Sequence, residues 1–196
     1  MVSSDDMEAR AMPRLTPEEY LVIERQADTK SEYLNGEMFA MSGASRWHNL
    51  VTTNLAGELR AQLKGRACEV YSSDQRVHIP ATRLYTYPDV VVVCGEPRFE
   101  DALLDTLLNP KLVIEVLSPT TEAYDRGEKF EHYQSIESLL EYLLVDPARP
   151  RVEHYLRQDG NHWFLTVLES LDATLPLTSI QCKLPLAEIY DKVVFG

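Results

Sequence analysis

Hydrophobic positions recur at two periods along this chain, and the switches between them mark out its elements. From Arg46 to about Leu63, apolar residues at Leu50, Leu55, Leu59 and Leu63 follow helical spacing, and Gly65 ends the run. A shorter helix is predicted from Thr16, an N-cap followed by Pro17, Glu18 and Glu19, through about Gln26. The segment SEYLNGEMFAMSG predicts a hairpin, because Asn35-Gly36 is the dipeptide favoured in tight type I′ turns. The middle of the chain is strand-rich: CEVYSS, RVHIP, the YPDVVVV run, KLVIEVL, EYLLVDP, RVEHYL and HWFLTVL are short β-branched or aromatic stretches, mostly punctuated by Pro, Asp or Gly. One helix, from about Thr121 to Ser138, separates KLVIEVL from EYLLVDP, the order a right-handed crossover requires. The tail from Leu175 adds a last strand and a short helix at LPLAEIY. The first dozen residues are polar, so the pattern predicts a flexible N-terminus over 1–14 and one domain over 15–196. The fold class is α/β in the broad sense, more closely α+β, with a central mixed β-sheet flanked by helices and an N-terminal helix and hairpin.

Two of these strands contain an acid. TYPDVVVVC carries Asp89 and KLVIEVLSP carries Glu115, each alone among Val, Leu and Ile in a strand that reads as covered on both faces. A buried, unpartnered carboxylate is so costly that it shifts its pKa and neutralises instead, so the pair calls for a partner. Side chains alternate along a strand, which puts Asp89 on a face with Val91 and Val93, and Glu115 with Val113 and Leu117. If the strands are neighbours the carboxylates converge, and a shared divalent cation explains both at once. Paired acid oxygens completed by waters, a carbonyl and a phosphate suit Mg²⁺.

The following helix supplies a cation. In EAYDRGEKFEHYQSI, Lys129 lies three, four and seven residues before His132, Tyr133 and Ile136, a stripe that should turn toward the sheet, with Asp125 one turn earlier on the same side. The plainer reading is a surface i,i+4 pair worth about 0.3–0.5 kcal/mol; the two strand acids favour the functional one. His48, near the start of a helix, could meet a phosphate or a metal-bound water. Glu37, after the hairpin turn, is a further candidate, followed by Glu32 and then Asp74. The remaining histidines have no HExxH or zinc spacing, and no GxSxG, P-loop or GxGxxG occurs, so serine-hydrolase, kinase and dinucleotide readings find no motif.

Charge and cysteine content narrow the partners. A net charge of −12 opposes coating of nucleic acid through bulk electrostatics but leaves room for a local basic groove. No segment approaches the roughly 20 apolar residues of a membrane span, and the N-terminus has no secretory h-region. The three cysteines, Cys68, Cys94 and Cys182, are odd in number and widely spaced, and read as reduced, buried small hydrophobes of a cytoplasmic protein.

Asp89 after a proline, Glu115 in an apolar strand, SPTT, the helix with Asp125 and Lys129, EYLLVDP, and EYLNGEMFAMSG followed by His48 together resemble the Uma-two family of restriction-endonuclease-like proteins, within the PD-(D/E)XK nuclease superfamily. The resemblance runs from about Leu15 through LPLAEIY. It implies a restriction-endonuclease-like core and Mg-dependent hydrolysis of phosphodiester bonds, most simply of DNA. Asp89 and Glu115 then hold Mg, with Mn as substitute, and the Val116 carbonyl serves as a further ligand, while Lys129 assists the attacking water or the phosphoryl oxygens. The superfamily pattern places its lysine two residues after the second acid, where this chain has Leu117, so the resemblance implies that Lys129 has taken over from the helix. Restriction-type nucleases often pair two sites, which makes a homodimer the expected assembly. Two alternatives stand beside this reading: a non-catalytic binding or assembly module on the same fold, and a phosphodiesterase acting on a substrate other than DNA.

Overall fold

The computed structural model describes residues 14–195. The expected flexible N-terminus therefore lies outside the described residues, except for Arg14. The chain runs through α1 (Pro17–Glu24), the hairpin β1 (Ser31–Leu34) and β2 (Glu37–Ala40), α2 (Arg46–Leu63), and strands β3 (Cys68–Ser72), β4 (Arg76–Ile79), β5 (Leu84–Thr86), β6 (Val90–Cys94), β7 (Thr106–Leu107) and β8 (Leu112–Val116). Helices α3 (Glu122–Arg126) and α4 (Glu128–Gln134) follow, then β9 (Glu141–Asp146), β10 (Arg151–Arg157), β11 (Trp163–Leu168), β12 (Thr174–Leu177), β13 (Cys182–Pro185) and α5 (Leu186–Ile189).

Local chemistry accounts for the element ends. The Thr16 side chain accepts from the Glu19 amide while Glu19 accepts from the Thr16 amide, a complete capping box that starts α1. Asn35 and Gly36 both take positive φ, 50° and 98°, as a type I′ turn requires. A Cβ at Gly36 would fall 2.5 Å from the Arg14 side chain, so the position also needs glycine for space.

Strands β11, β10, β9, β8, β6 and β3 form a six-stranded mixed sheet in that order, and β2, β1, β5, β4 and β7 form a second sheet of five. The larger sheet is buried on both faces, which is why β8 and β9 read as continuous apolar runs. On one face Val90, Val92, Ile114 and Val116 pack against Val51, Leu55 and Leu59 of α2 and against the β12–β13 ribbon. On the other face Val91, Val93, Val113 and Leu117 meet Phe130 and Tyr133 of α4, together with Val77, Ile79 and Leu84 from the smaller sheet. The smaller sheet turns its far side to α1, where Tyr20, Tyr33 and Tyr85 form a third, aromatic cluster.

The mixed α+β class holds, with several corrections of detail. The predicted helix from Thr121 to Ser138 is two short helices broken at Gly127 and ending at Gln134. The core stripe of α2 uses Val51 rather than Leu50. The tail contains a strand pair, not one strand. The cysteine reading is overturned for two of three residues: Cys68 and Cys94 form a disulfide, and only Cys182 stays free and buried. Spacing misleads here because the antiparallel register of β3 and β6 sets Cys68 directly opposite Cys94, with Cα atoms 4.0 Å apart. Among the described residues no helix is long and apolar enough to cross a membrane.

Candidate active site

Strands β6 and β8 are antiparallel neighbours with Val90 opposite Ile114, so one step outward the same register sets Asp89 opposite Glu115. Both acids share the sheet face that α4 covers. Asp89 Oδ2 accepts a hydrogen bond from the Val116 amide at 2.8 Å and lies 3.3 Å from His48 Nε2. His48 is placed by its helix: the Ser45 side chain caps α2 by accepting from the His48 amide. Burial alone would lower the His48 pKa, but the Asp89 carboxylate and the Val116 carbonyl outweigh it and hold the imidazole above its usual range. Among the described residues, His48 Nδ1 is buried without a partner.

Glu115 is 4% exposed and lies at the centre of the cluster. Lys129 Nζ approaches its Oε1 at 3.0 Å, and the Tyr133 hydroxyl donates to the same oxygen at 3.0 Å. Lys129, itself 5% exposed, also meets Glu32 at 3.0 Å and Asp125 at 3.6 Å. Burial opposes the ammonium, yet the carboxylates of Glu115, Glu32 and Asp125 prevail and raise its pKa well above the ordinary lysine value. Burial pushes the Glu115 carboxyl up to about 8; Lys129 pulls the other way, while Asp125 and Asp89 add to the push. Asp125 is raised as well, by burial against the pull of Lys129.

Lys129 reaches this position because the chain breaks at Gly127 and re-aims α4, so that Lys129, Phe130 and Tyr133 face the sheet. The Tyr142 hydroxyl donates to the Asp125 carbonyl at 3.0 Å and holds α3 beside β9. Leu117, on the face of Glu115 and two residues beyond it, is buried in the core cluster with Val113. The lysine therefore enters from above the sheet, over a strand position that packs as core.

Carboxylate oxygens are the donors that a hard divalent cation takes. Asp89, Glu115, Asp125 and Glu32 bring four carboxylates to a neighbourhood whose cations are Lys129 and His48, a surplus of negative charge that a bound ion would relieve. Among the described residues no three His, Cys, Asp or Glu side chains are grouped as ligands for one ion. The candidate ligands are accordingly two carboxylates, Asp89 and Glu115, and the peptide carbonyl of Val116, whose amide donates to Asp89.

Of the residues singled out in the sequence, Asp89, Glu115, Val116, Lys129 and His48 come together. Glu37 does not: it is exposed on edge strand β2, and the hairpin carboxylate that reaches the lysine is Glu32. The alternation of β1 carries that signal, since Glu32 shares a face with Leu34, which packs toward the core beneath α4. Thr86, opposite Glu32 on β5, donates to it. Asp74 is exposed and pairs with Lys30. Spacing puts Tyr133 on the sheet-facing stripe, but nothing in the sequence marks its hydroxyl as a partner of Glu115.

The family profile described as "Uma2: Putative restriction endonuclease" matches residues 17–187. The chain belongs to the Uma2 family. Two relatives of this Uma2 protein come from Synechocystis sp. and are named only as uncharacterized proteins. One, sll1609, is 41% identical over 161 residues, covering 82% of this chain and 91% of the relative. The other, slr1290, is 38% identical over 183 residues, covering 93% and 95%. The fold matches a crystal structure from Anabaena variabilis, described as a putative nuclease belonging to DUF820, with TM-score 0.75 at 20% identity over 92% of this chain and 99% of that one.

Proposed function

We propose that this Uma2 protein is a metal-dependent endonuclease that hydrolyses phosphodiester bonds of DNA. The observation that carries the reading is the convergence of Asp89 and Glu115 across β6 and β8 with Lys129 Nζ 3.0 Å from Glu115, supplied by α4 where the strand itself offers Leu117. Mg²⁺, or Mn²⁺ in its place, held by Asp89, Glu115 and the Val116 carbonyl, would polarise the scissile phosphate and lower the pKa of a water beside it. Lys129, kept protonated, places positive charge where the phosphoryl oxygens become more negative. Tyr133 fixes one Glu115 oxygen, and His48 and the Val116 amide fix Asp89, so the acids keep their orientation without substrate. Hydrolysis forms a bond from water oxygen to phosphorus and breaks the bond to the departing sugar oxygen, which leaves with a proton. Nucleic acid as substrate is supported by the open groove beside the start of α2, where Arg46 lies beside Asn49 and Thr53, while the Lys192 ammonium is 3.6 Å from Asp191. Arg46 is a local cation on a chain of net charge −12.

Nicking of supercoiled plasmid in Mg²⁺ or Mn²⁺, by wild type, Asp89→Ala, Glu115→Ala and Lys129→Met, tests the chemistry. Thermal denaturation with and without Mn²⁺ tests the ion separately. Wild type should nick and be stabilised by Mn²⁺; both alanine variants should lose at least ~100-fold in rate and lose the Mn²⁺ shift. Nicking that survives in both alanine variants sinks the proposal. Mn²⁺ stabilisation without cleavage points instead to a phosphodiesterase of another substrate, and neither response points to a binding module.

A further inference from the structure

The Cys68–Cys94 disulfide lies at an open corner of the fold. Strand β3 is an edge of the six-stranded sheet; Cys68 opens it and Cys94 closes β6 beside it. The link 64–67 that leads into β3 is exposed, and so are Gly95 and Glu96 after β6. Both cysteines are half-buried and line a cleft of about 370 Å³, together with Arg66, Lys111 and the turn 179–181 of the β12–β13 ribbon. A Cβ at Gly95 would meet nothing within 4 Å, so the approach to Cys94 is clear.

The charge around this cleft is positive. No aspartate or glutamate lines it. The Arg66 guanidinium donates to the Ile180 and Gln181 carbonyls and to Cys182 Sγ, acceptors without formal charge, so these bonds fix its place and leave its charge unbalanced. Glu141 lies behind the cleft and accepts from the Ser179 amide at 2.6 Å, but it is fully buried and held by His154 at 2.8 Å. Reactive cysteines occupy such partly exposed, electropositive surroundings, because a neighbouring cation favours the thiolate. Charges more than about 8 Å away are screened at physiological ionic strength, so the local cations act here in spite of the net charge of −12.

We propose that Cys68–Cys94 is a reversible exchange site, opened in the folded protein by a small thiol that enters this cleft. The incoming thiolate attacks the Cys94 sulfur, the bond between the two sulfurs breaks, and Cys68 leaves as a thiolate whose charge Arg66 and Lys111 offset. A second thiol attacks the mixed disulfide and releases Cys94. Two electrons and two protons have then passed to the protein, and the two small thiols leave joined as one disulfide. The fold does not depend on the bond at this corner. Strands β3 and β6 stay paired from Glu69 opposite Val93 to Ser72 opposite Val90, and on the other side of the cysteines the Gly95 amide donates to the Ala67 carbonyl at 2.7 Å. The two thiols therefore remain opposite one another, and the bond can form again. The corner lies at the far end of β6 from Asp89, and the proposal stands independently of the reaction above.

Alkylation of Cys68 and Cys94, followed by mass spectrometry, reads their reduction by uncharged dithiothreitol and their return to the disulfide in oxidised glutathione. The reduction rate should rise in proportion to dithiothreitol, stay constant in urea below the unfolding transition, and leave the circular dichroism native. Lys111→Glu should slow reduction at least ~3-fold, because the departing thiolate loses a cation and gains an acid, whereas Lys111→Arg should match the wild type. A rate that levels off with dithiothreitol or climbs in dilute urea would mean that the bond opens only through unfolding, and would overturn the proposal. So would a Lys111→Glu rate equal to that of wild type, a Lys111→Arg rate as slow as that of Lys111→Glu, or reduced protein that oxidised glutathione does not return to the disulfide.

Discussion

At the scale of single residues, the molecule keeps a carboxyl group where burial works against its charge. The Glu115 pKa, raised to about 8 from an ordinary value of 4.5, means that the folded protein holds this proton more tightly than the unfolded chain. The stabilisation from that proton is complete below about pH 4.5 and disappears as pH rises through 8. Glu115→Gln in metal-free buffer should therefore gain melting temperature relative to wild type as pH goes from 5 to about 8.5. The raised His48 and the lowered His78 are common to both proteins and drop out of that difference. Parallel melting curves for the two proteins across that range would contradict the assignment. Asp89 and Glu115 were legible in the sequence because each interrupts a continuous run of Val, Leu and Ile. Glu32 was harder to distinguish, since the hairpin offers two glutamates and the alternation that groups Glu32 with Leu34 becomes informative only once β1 is laid beside β5. Tyr133 could not be recognised at all, because a tyrosine on a buried stripe looks the same whether its hydroxyl serves a carboxylate or not.

Among elements, the pair α3–α4 decides whether the site exists. Gly127 separates them, and a Cβ there would sit 3.2 Å from the Ala123 carbonyl oxygen, tighter than most such contacts. Gly127→Ala should cost about 1 kcal/mol of stability in urea titrations, and should reduce plasmid nicking by a larger factor than that loss implies, because a small rotation of α4 moves Lys129 off Glu115. Unchanged nicking would show that the helix tolerates the shift. The break also explains an error of sequence reading: the apolar stripe from Tyr124 to Ile136 keeps helical spacing across Gly127, so periodicity alone reports one helix. Strands of five or more residues were visible because alternation or a sustained apolar run can be recognised over that length. Strand β5, with three residues, and β7, with two, are too short for any such pattern, and they belong to the sheet that went unseen.

For the molecule as a whole, the division into two sheets and a ribbon depends on pairings between distant segments, which no local pattern records. The same is true of the disulfide between Cys68 and Cys94, whose partners are 26 residues apart and meet only when β3 is laid against β6. Reduction of that bond should lower unfolding free energy by about 3 kcal/mol through the greater freedom of the open loop, measurable by denaturant titration with and without a phosphine reductant. A Cys68→Ser, Cys94→Ser double variant should be insensitive to reductant. Equal stability of the wild type in both conditions would show that the closed loop contributes nothing. The lysine that enters from α4 has a consequence of another kind. A search keyed to fixed spacing along one strand meets Leu117 and passes over this chain, whereas one keyed to three points in space finds an acid, an acid and a cation. The stretch between Leu117 and Lys129 is then free to drift in length and composition among descendants, provided the helix still lands in the same place, so ancestry is better traced here by shape than by spelling.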